Sequence, residues 1–190
     1  MKKVIYICAV FIIGACSPIY NGGGQPLAQM TFEHIKPYPV YTAAYELVPF
    51  IRDDANILPE GFIADPAKLA HDYLKARFEA SGSRGKLRIV IKDASVTHEV
   101  TPSNTKVGAA FGLGQRDHYI VTLIVKLQLY GVGKYEHQET TLTAHRNIYI
   151  SEYASIVERE SEQMKALDSL IDDLDGSIYK VLKNNYSIIN

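Results

Sequence analysis

Residues able to do chemistry are thinly spread along this chain of 190 residues. The six histidines, at 34, 71, 98, 118, 137 and 145, stand singly, with no H-E-x-x-H and no pair four apart. His118, His137 and His145 fall near strand segments and are the three that a sheet could bring together. Without cysteine ligands or a fixed spacing they do not define a metal site, and none is expected. Ser81-Gly82-Ser83-Arg84-Gly85 lacks the G-x-S-x-G order of a nucleophile elbow. Glu158 and Glu162 lie four apart with like sign, which weakens a helix slightly and reads as a solvated face. No catalytic residue and no cofactor is assigned, and the chain reads as a non-enzyme. The two cysteines are Cys8 and Cys16, and only Cys16 sits in a context that specifies a reaction. Lys2 and Lys3 open a positive segment, Val4 to Ile13 is an apolar run, and small residues lead into Cys16.

An apolar run of about ten residues is too short to span a bilayer comfortably, and its charged start and small-residue end read as an export signal. The end, Ile13-Gly14-Ala15-Cys16, resembles a bacterial lipobox. That resemblance implies cleavage before Cys16, a signal peptide at 1–15 and acyl chains on the Cys16 thiol and new amine. Membrane attachment through those chains follows, since one acyl chain anchors only marginally and several hold firmly. Ser17, where inner-membrane lipoproteins carry Asp, directs the expectation to the periplasmic face of a Gram-negative outer membrane. Residues 16–29, with Gly22-Gly23-Gly24 and prolines at 18 and 26, read as a flexible tether. Residues 30–190 read as one folded domain.

Composition agrees with an exported globular domain: 47% apolar and 22% charged residues, with 13 tyrosines and no tryptophan. Losing Lys2 and Lys3 takes the basic residues from 20 to 18 against 21 acids, a net charge of about −3. No basic stripe appears, so nucleic acid is not an expected partner. With Cys8 in the signal and Cys16 acylated, the domain has no thiol to mispair in an oxidising compartment.

Met30 to Ile35 and Val40 to Val48 read as short strands, the second with Tyr41, Ala43, Tyr45 and Leu47 on one face. Asp65-Pro66 starts a helix that should run to about Ala80, with Gly82 as its C-terminal glycine. Three alternating strands follow at 87–96, 119–129 and 140–150. On the first, Leu87, Ile89, Ile91 and Val96 share a face. On the second, Tyr119 to Leu129 makes an apolar face, opposite a mixed one of Ile120, Thr122, Ile124, Lys126 and Gln128. On the third, Thr141, Thr143, His145, Asn147 and Tyr149 line one side. The loop from Val107 to Gly114 is glycine-rich yet apolar, with Phe111 and Leu113 at its centre. A long amphipathic helix fills 152–184, with a capping box at Ser155 and Glu158 and a weak point at Gly176. The fold class is therefore α+β: an antiparallel sheet of about four to five strands packed by two helices, in the order β-β-α-β-β-β-α.

The step from Tyr73–Gly82 into Lys86–Ile91, and the closing strand running into a long helix from Tyr149 to Leu174, carry a further resemblance. They are similar to the small α/β lipoproteins of Gram-negative envelopes, especially auxiliary lipoproteins of ABC-type lipid transport systems, and to alphaproteobacterial lipoproteins with no assigned activity. The resemblance implies an accessory subunit in envelope maintenance or lipid transport with an envelope protein as partner. Phe111, Leu113, Thr143, His145 and Tyr149 are the candidate contact residues. The alternative is a lipid or small-molecule carrier whose apolar pocket is closed by the 107–113 loop.

Overall fold

Three long strands set the architecture. A computed structural model describes residues 30–53, 56–102, 114–132 and 135–189. The expectations for the signal peptide, Cys16, the tether, Phe111 and Leu113 lie outside the described residues. In order, the chain forms β1 (Tyr38–Val40), β2 (Ala44–Val48), α1 (Pro66–Arg77), β3 (Phe78–Ala80) and β4 (Lys86–Pro102). It continues through β5 (Gln115–Val132), β6 (Tyr135–Ser151) and α2 (Ile156–Lys180), which ends in a π-helical turn, Val181–Asn185. The fold is α+β with a four-stranded sheet in the order β2-β4-β5-β6 and a separate pair β1-β3. The sheet is mixed: β4, β5 and β6 run antiparallel, while β2 joins β4 parallel.

Alternation places every second residue of β5 on one face, and Val121, Leu123, Val125 and Leu127 are wholly buried there. Both helices pack on that face. Buried Leu74 and Ala70 of α1 share one core with Leu167, Leu170, Leu174 and Ile178 of α2. Leu87, Ile89 and Ile91 on β4 have odd numbers, yet Val96 joins them in the core. A bulge between Ile91 and Asp93 inserts Lys92 and resets the alternation, so Ala94 and Val96 turn inward. That one irregularity reconciles the two halves of the strand.

Several boundaries differ from expectation. Met30 to Ile35 forms no strand; it closes a turn from Ile35 N–H to the Phe32 carbonyl (3.1 Å). The run 40–48 splits into β1 and β2 at bends over 41–43, where Tyr41 N–H bonds the Ile188 carbonyl (2.8 Å) and Thr42 N–H the Val40 carbonyl (2.7 Å). Tyr41 and Ala43 face out, whereas Tyr45 and Leu47 pack partly buried against the core. Asp65 caps α1 as expected, accepting from Ala67 N–H, but the helix stops at Arg77. Phe78 then turns extended so that β3 pairs with β1. Gly82 is accordingly no helix cap; it lies where the chain passes against the backbone of Tyr41 and Thr42. Ser155 and Glu158 form the capping box of α2, and the helix runs unbroken through Gly176.

Candidate functional site

The sheet face turned away from both helices gathers the polar residues of β4, β5 and β6. Register fixes its rows. Glu99, His118 and Tyr149 stand side by side; so do Ser95, Thr122 and His145, and then Asp93, Ile124 and Thr143. Further along come Arg88, Gln128 and Glu139. Thr143, His145 and Tyr149, chosen from alternation, therefore occupy this open face and are exposed.

The most ordered part of the face is around His118, which is only 7% exposed. Its Nδ1 donates to Glu99 Oε1 (2.7 Å) and its Nε2 lies 2.8 Å from Asn147 Oδ1. The Tyr149 ring stacks on the imidazole at 4.2 Å and 8°, and the Arg116 guanidinium stands 5.2 Å from the Tyr149 centroid. Carboxylate, imidazole and amide from three neighbouring strands are thus locked in one layer beneath an aromatic lid. Both imidazole nitrogens are engaged, so His118 has no free position from which to move a substrate proton. The arrangement orders a surface.

On the helix side of the same end, Asp117 joins His98 Nε2 (2.8 Å) to Arg159 of α2. The Arg159 guanidinium also donates to the carbonyls of Ser151 (3.0 Å) and Glu152 (3.2 Å), clamping the first turns of α2 to the end of β6. Its hydrogen bond, with help from His98, holds the Asp117 carboxyl below the ordinary carboxylate range. At the other end of the open face Lys126 pairs with Glu139, and Lys86 and Arg88 pair with Glu46. Lys126 and Gln128 pull Glu139 down, and Lys86 does the same to Glu46.

The three histidines that a sheet could have gathered stay apart. His118 faces Tyr149, His145 faces Thr122, and His137 faces Tyr130, on which its ring packs at 4.6 Å. Sequence reasoning missed Glu99 and Asn147 as partners of His118, and Arg116 over the Tyr149 ring. Alternation put Asn147 on the right side, but only the strand register sets Glu99 and Tyr149 beside His118, with Asn147 one diagonal step away. A groove of about 430 Å³ also runs between the outer edge of β6 and α2, lined by Thr143, His145, Asp172, Gly176 and Lys180 among others. Its lining is mainly polar.

No known family and no curated protein matches the sequence. Among solved structures, the chain is similar to a minor lipoprotein from Acinetobacter baumannii, with 16% identity over 78% of this chain and 96% of that one and a TM-score of 0.43. It is also similar to rare lipoprotein B from Shewanella oneidensis: 11% identity, 76% and 94% coverage, TM-score 0.36. A third likeness is to a neuraminyllactose-binding hemagglutinin homolog from Helicobacter pylori, with 10% identity, 84% and 93% coverage and a TM-score of 0.44. Two of the three are named lipoproteins of Gram-negative bacteria. TM-scores below 0.5 at such identities carry no argument about what this chain does. Among the described residues, no helix is long and apolar enough to cross a membrane.

Proposed function

We propose that this chain is a lipid-anchored accessory protein of the Gram-negative envelope, tethered through Cys16 and working without catalysis as a docking subunit in envelope maintenance or lipid transport. The observation that carries the docking role is the open sheet face, left uncovered by both helices yet ordered by the Glu99–His118–Asn147 layer under Tyr149. Tyr149 is 52% exposed above a buried imidazole, so an aromatic contact is presented on a rigid base. A partner meeting a surface already fixed loses less side-chain freedom on binding. The anchor is supported by Ile13-Gly14-Ala15-Cys16 behind a charged and apolar leader.

The test has two arms. Wild-type protein should fractionate with outer membranes, and Cys16→Ala should release it from the acylated pool. Photo-crosslinkers placed singly at Thr122 and His145, on the open face, should trap an envelope protein in living cells. The same crosslinker at Lys165, exposed on α2, should not. Equal yields from both faces, or none from either, would overturn the docking role. A soluble, unacylated wild type would overturn the anchor.

A further inference from the structure

Two features of α2 and β6 go unused by the docking face. The first is the outer edge of the sheet. β6 lies last in the order β2-β4-β5-β6, is 17 residues long and pairs with β5 without a bulge. Its sequence, Tyr135 to Ser151, has no lysine, proline or glycine, the usual devices that blunt an edge strand. The opposite edge, β2, has five residues and stops before Pro49. Arg146 Nη1 donates to the His145 carbonyl and Arg159 Nη2 to the Ser151 carbonyl, so odd-numbered residues of β6 turn their backbone groups outward. By alternation, Glu139, Thr141, Thr143 and Asn147 present N–H and C=O along the same edge.

The second feature is Gly176. Glycine inside a helix weakens it relative to alanine. Here nothing within 4 Å would meet an added Cβ, so close packing inside this chain does not require the glycine. It lines the groove beside β6 with Asp172 and Lys180, each four residues away along one exposed ridge. Neither Asp172 nor Lys180 has an ionic partner among the described residues.

We infer that this edge is where a second copy of the same chain docks, β6 against β6 in antiparallel register around Thr143, with the two α2 helices crossing at Gly176. A two-fold operation about that point sets the Asp172 of each copy against the Lys180 of the other, twice, through the spacing of four on either side of the glycine. Across the strands it sets Thr143 on Thr143, Thr141 on His145, Glu139 on Asn147 and His137 on Tyr149. No like charges are opposed in that register. The glycine gives the helices room for close approach, and the union extends two four-stranded sheets into one of eight with the polar faces side by side.

The experiment is sedimentation equilibrium of the full chain in density-matched detergent, over roughly 1–500 μM. Wild type should fit a monomer–dimer equilibrium. Asp172→Lys and Lys180→Asp should each weaken association about tenfold, and the double swap should restore it to within about threefold. Thr143→Pro should abolish the dimer without changing the circular dichroism spectrum, because its N–H faces outward and serves no bond within the sheet. A wild type that stays monomeric throughout would overturn the proposal. So would a dimer indifferent to the charge swaps, or a double swap no better than the singles. Should the proline variant misfold, the charge-swap series decides alone.

Discussion

Two glycines in this chain should respond to the same substitution with opposite sign. At Gly82, an added Cβ would fall 2.5 Å from the Tyr41 carbonyl carbon and 2.7 Å from Thr42 N, both backbone atoms that cannot rotate away. Relief requires drawing residues 41–42 off residues 81–82. That move strains two bonds joining the segments, Gly82 N–H to the Thr42 carbonyl (2.9 Å) and Ser81 N–H to the Val40 carbonyl (2.8 Å). Each bond is worth about 1 kcal/mol net, and overpacking costs about 1–3 kcal/mol. Restricting the unfolded chain returns about 0.5 kcal/mol. Gly82→Ala should therefore destabilise the domain by about 3 kcal/mol. Gly176→Ala meets nothing within 4 Å and should stabilise the monomer by about 0.8 kcal/mol, through helix propensity alone. Urea unfolding followed by circular dichroism, at concentrations too low for self-association, reads both. With a slope of about 2 kcal/mol/M, the midpoints should move by roughly −1.5 M and +0.4 M. A Gly82→Ala midpoint within about 0.2 M of wild type would refute the close-approach argument. A destabilised Gly176→Ala monomer would refute the claim that the glycine serves nothing inside the chain.

Three more outcomes follow from single contacts. Ser155→Ala removes the acceptor of the Glu158 N–H (3.3 Å) and half of a reciprocal cap, and should cost about 1 kcal/mol in the same unfolding assay. Leu123→Ala empties a wholly buried position at the centre of β5 and should cost about 3 kcal/mol. Asp117→Asn tests the clamp on α2 through pH. Because Arg159 depresses the folded-state Asp117 carboxyl below its unfolded value of about 3.9, the stability it contributes is complete above that value and disappears as pH falls through the folded one. The gap in melting temperature between wild type and Asp117→Asn should be widest near neutrality and close towards pH 3. A gap that holds constant down to that pH would show the carboxylate to be inert.

What the sequence revealed and what it hid divide along a physical line. Local signals were legible. The Asp65-Pro66 start, the Ser155 and Glu158 box, and the alternation of Val121 to Leu127 each express geometry within a few residues, and each appears where expected. Non-local pairing was not. Phe78 to Ala80 is helical by periodicity but becomes β3, since parallel pairing with β1 outweighs one more helical turn. The parallel placement of β2 depends on residues about forty positions away. The Glu99, His118 and Asn147 layer exists because of a register between three strands, which a bulge at Lys92 shifts by one. No count along the chain gives that shift. Alternation alone was enough to place Thr143, His145 and Tyr149 on the open face; their contacts were not legible.

The charges on that open face limit how a partner can be recruited to it. Glu46 is neutralised by Lys86 and Arg88, Glu139 by Lys126, while Glu99 is bonded to His118 and Arg116 lies over Tyr149. Charges already matched across neighbouring strands produce little field beyond a Debye length of about 8–10 Å, and so steer little from a distance. Recognition on the proposed docking face must then rest on the exposed Tyr149, the threonine rows and half-buried Ile120 and Ile124, at contact range. Its affinity should change by less than about threefold between 50 and 500 mM salt. The groove edge predicts the reverse, because Asp172 and Lys180, without ionic partners among the described residues, would meet opposite charges in the inferred second copy, so association of the chain with itself should weaken several-fold over the same range. Titrating salt against partner crosslinking and self-association in parallel separates the two surfaces. A steep salt dependence of the crosslinks from Thr122 and His145 would show that the partner reads charge, and would move the docking site off the balanced face.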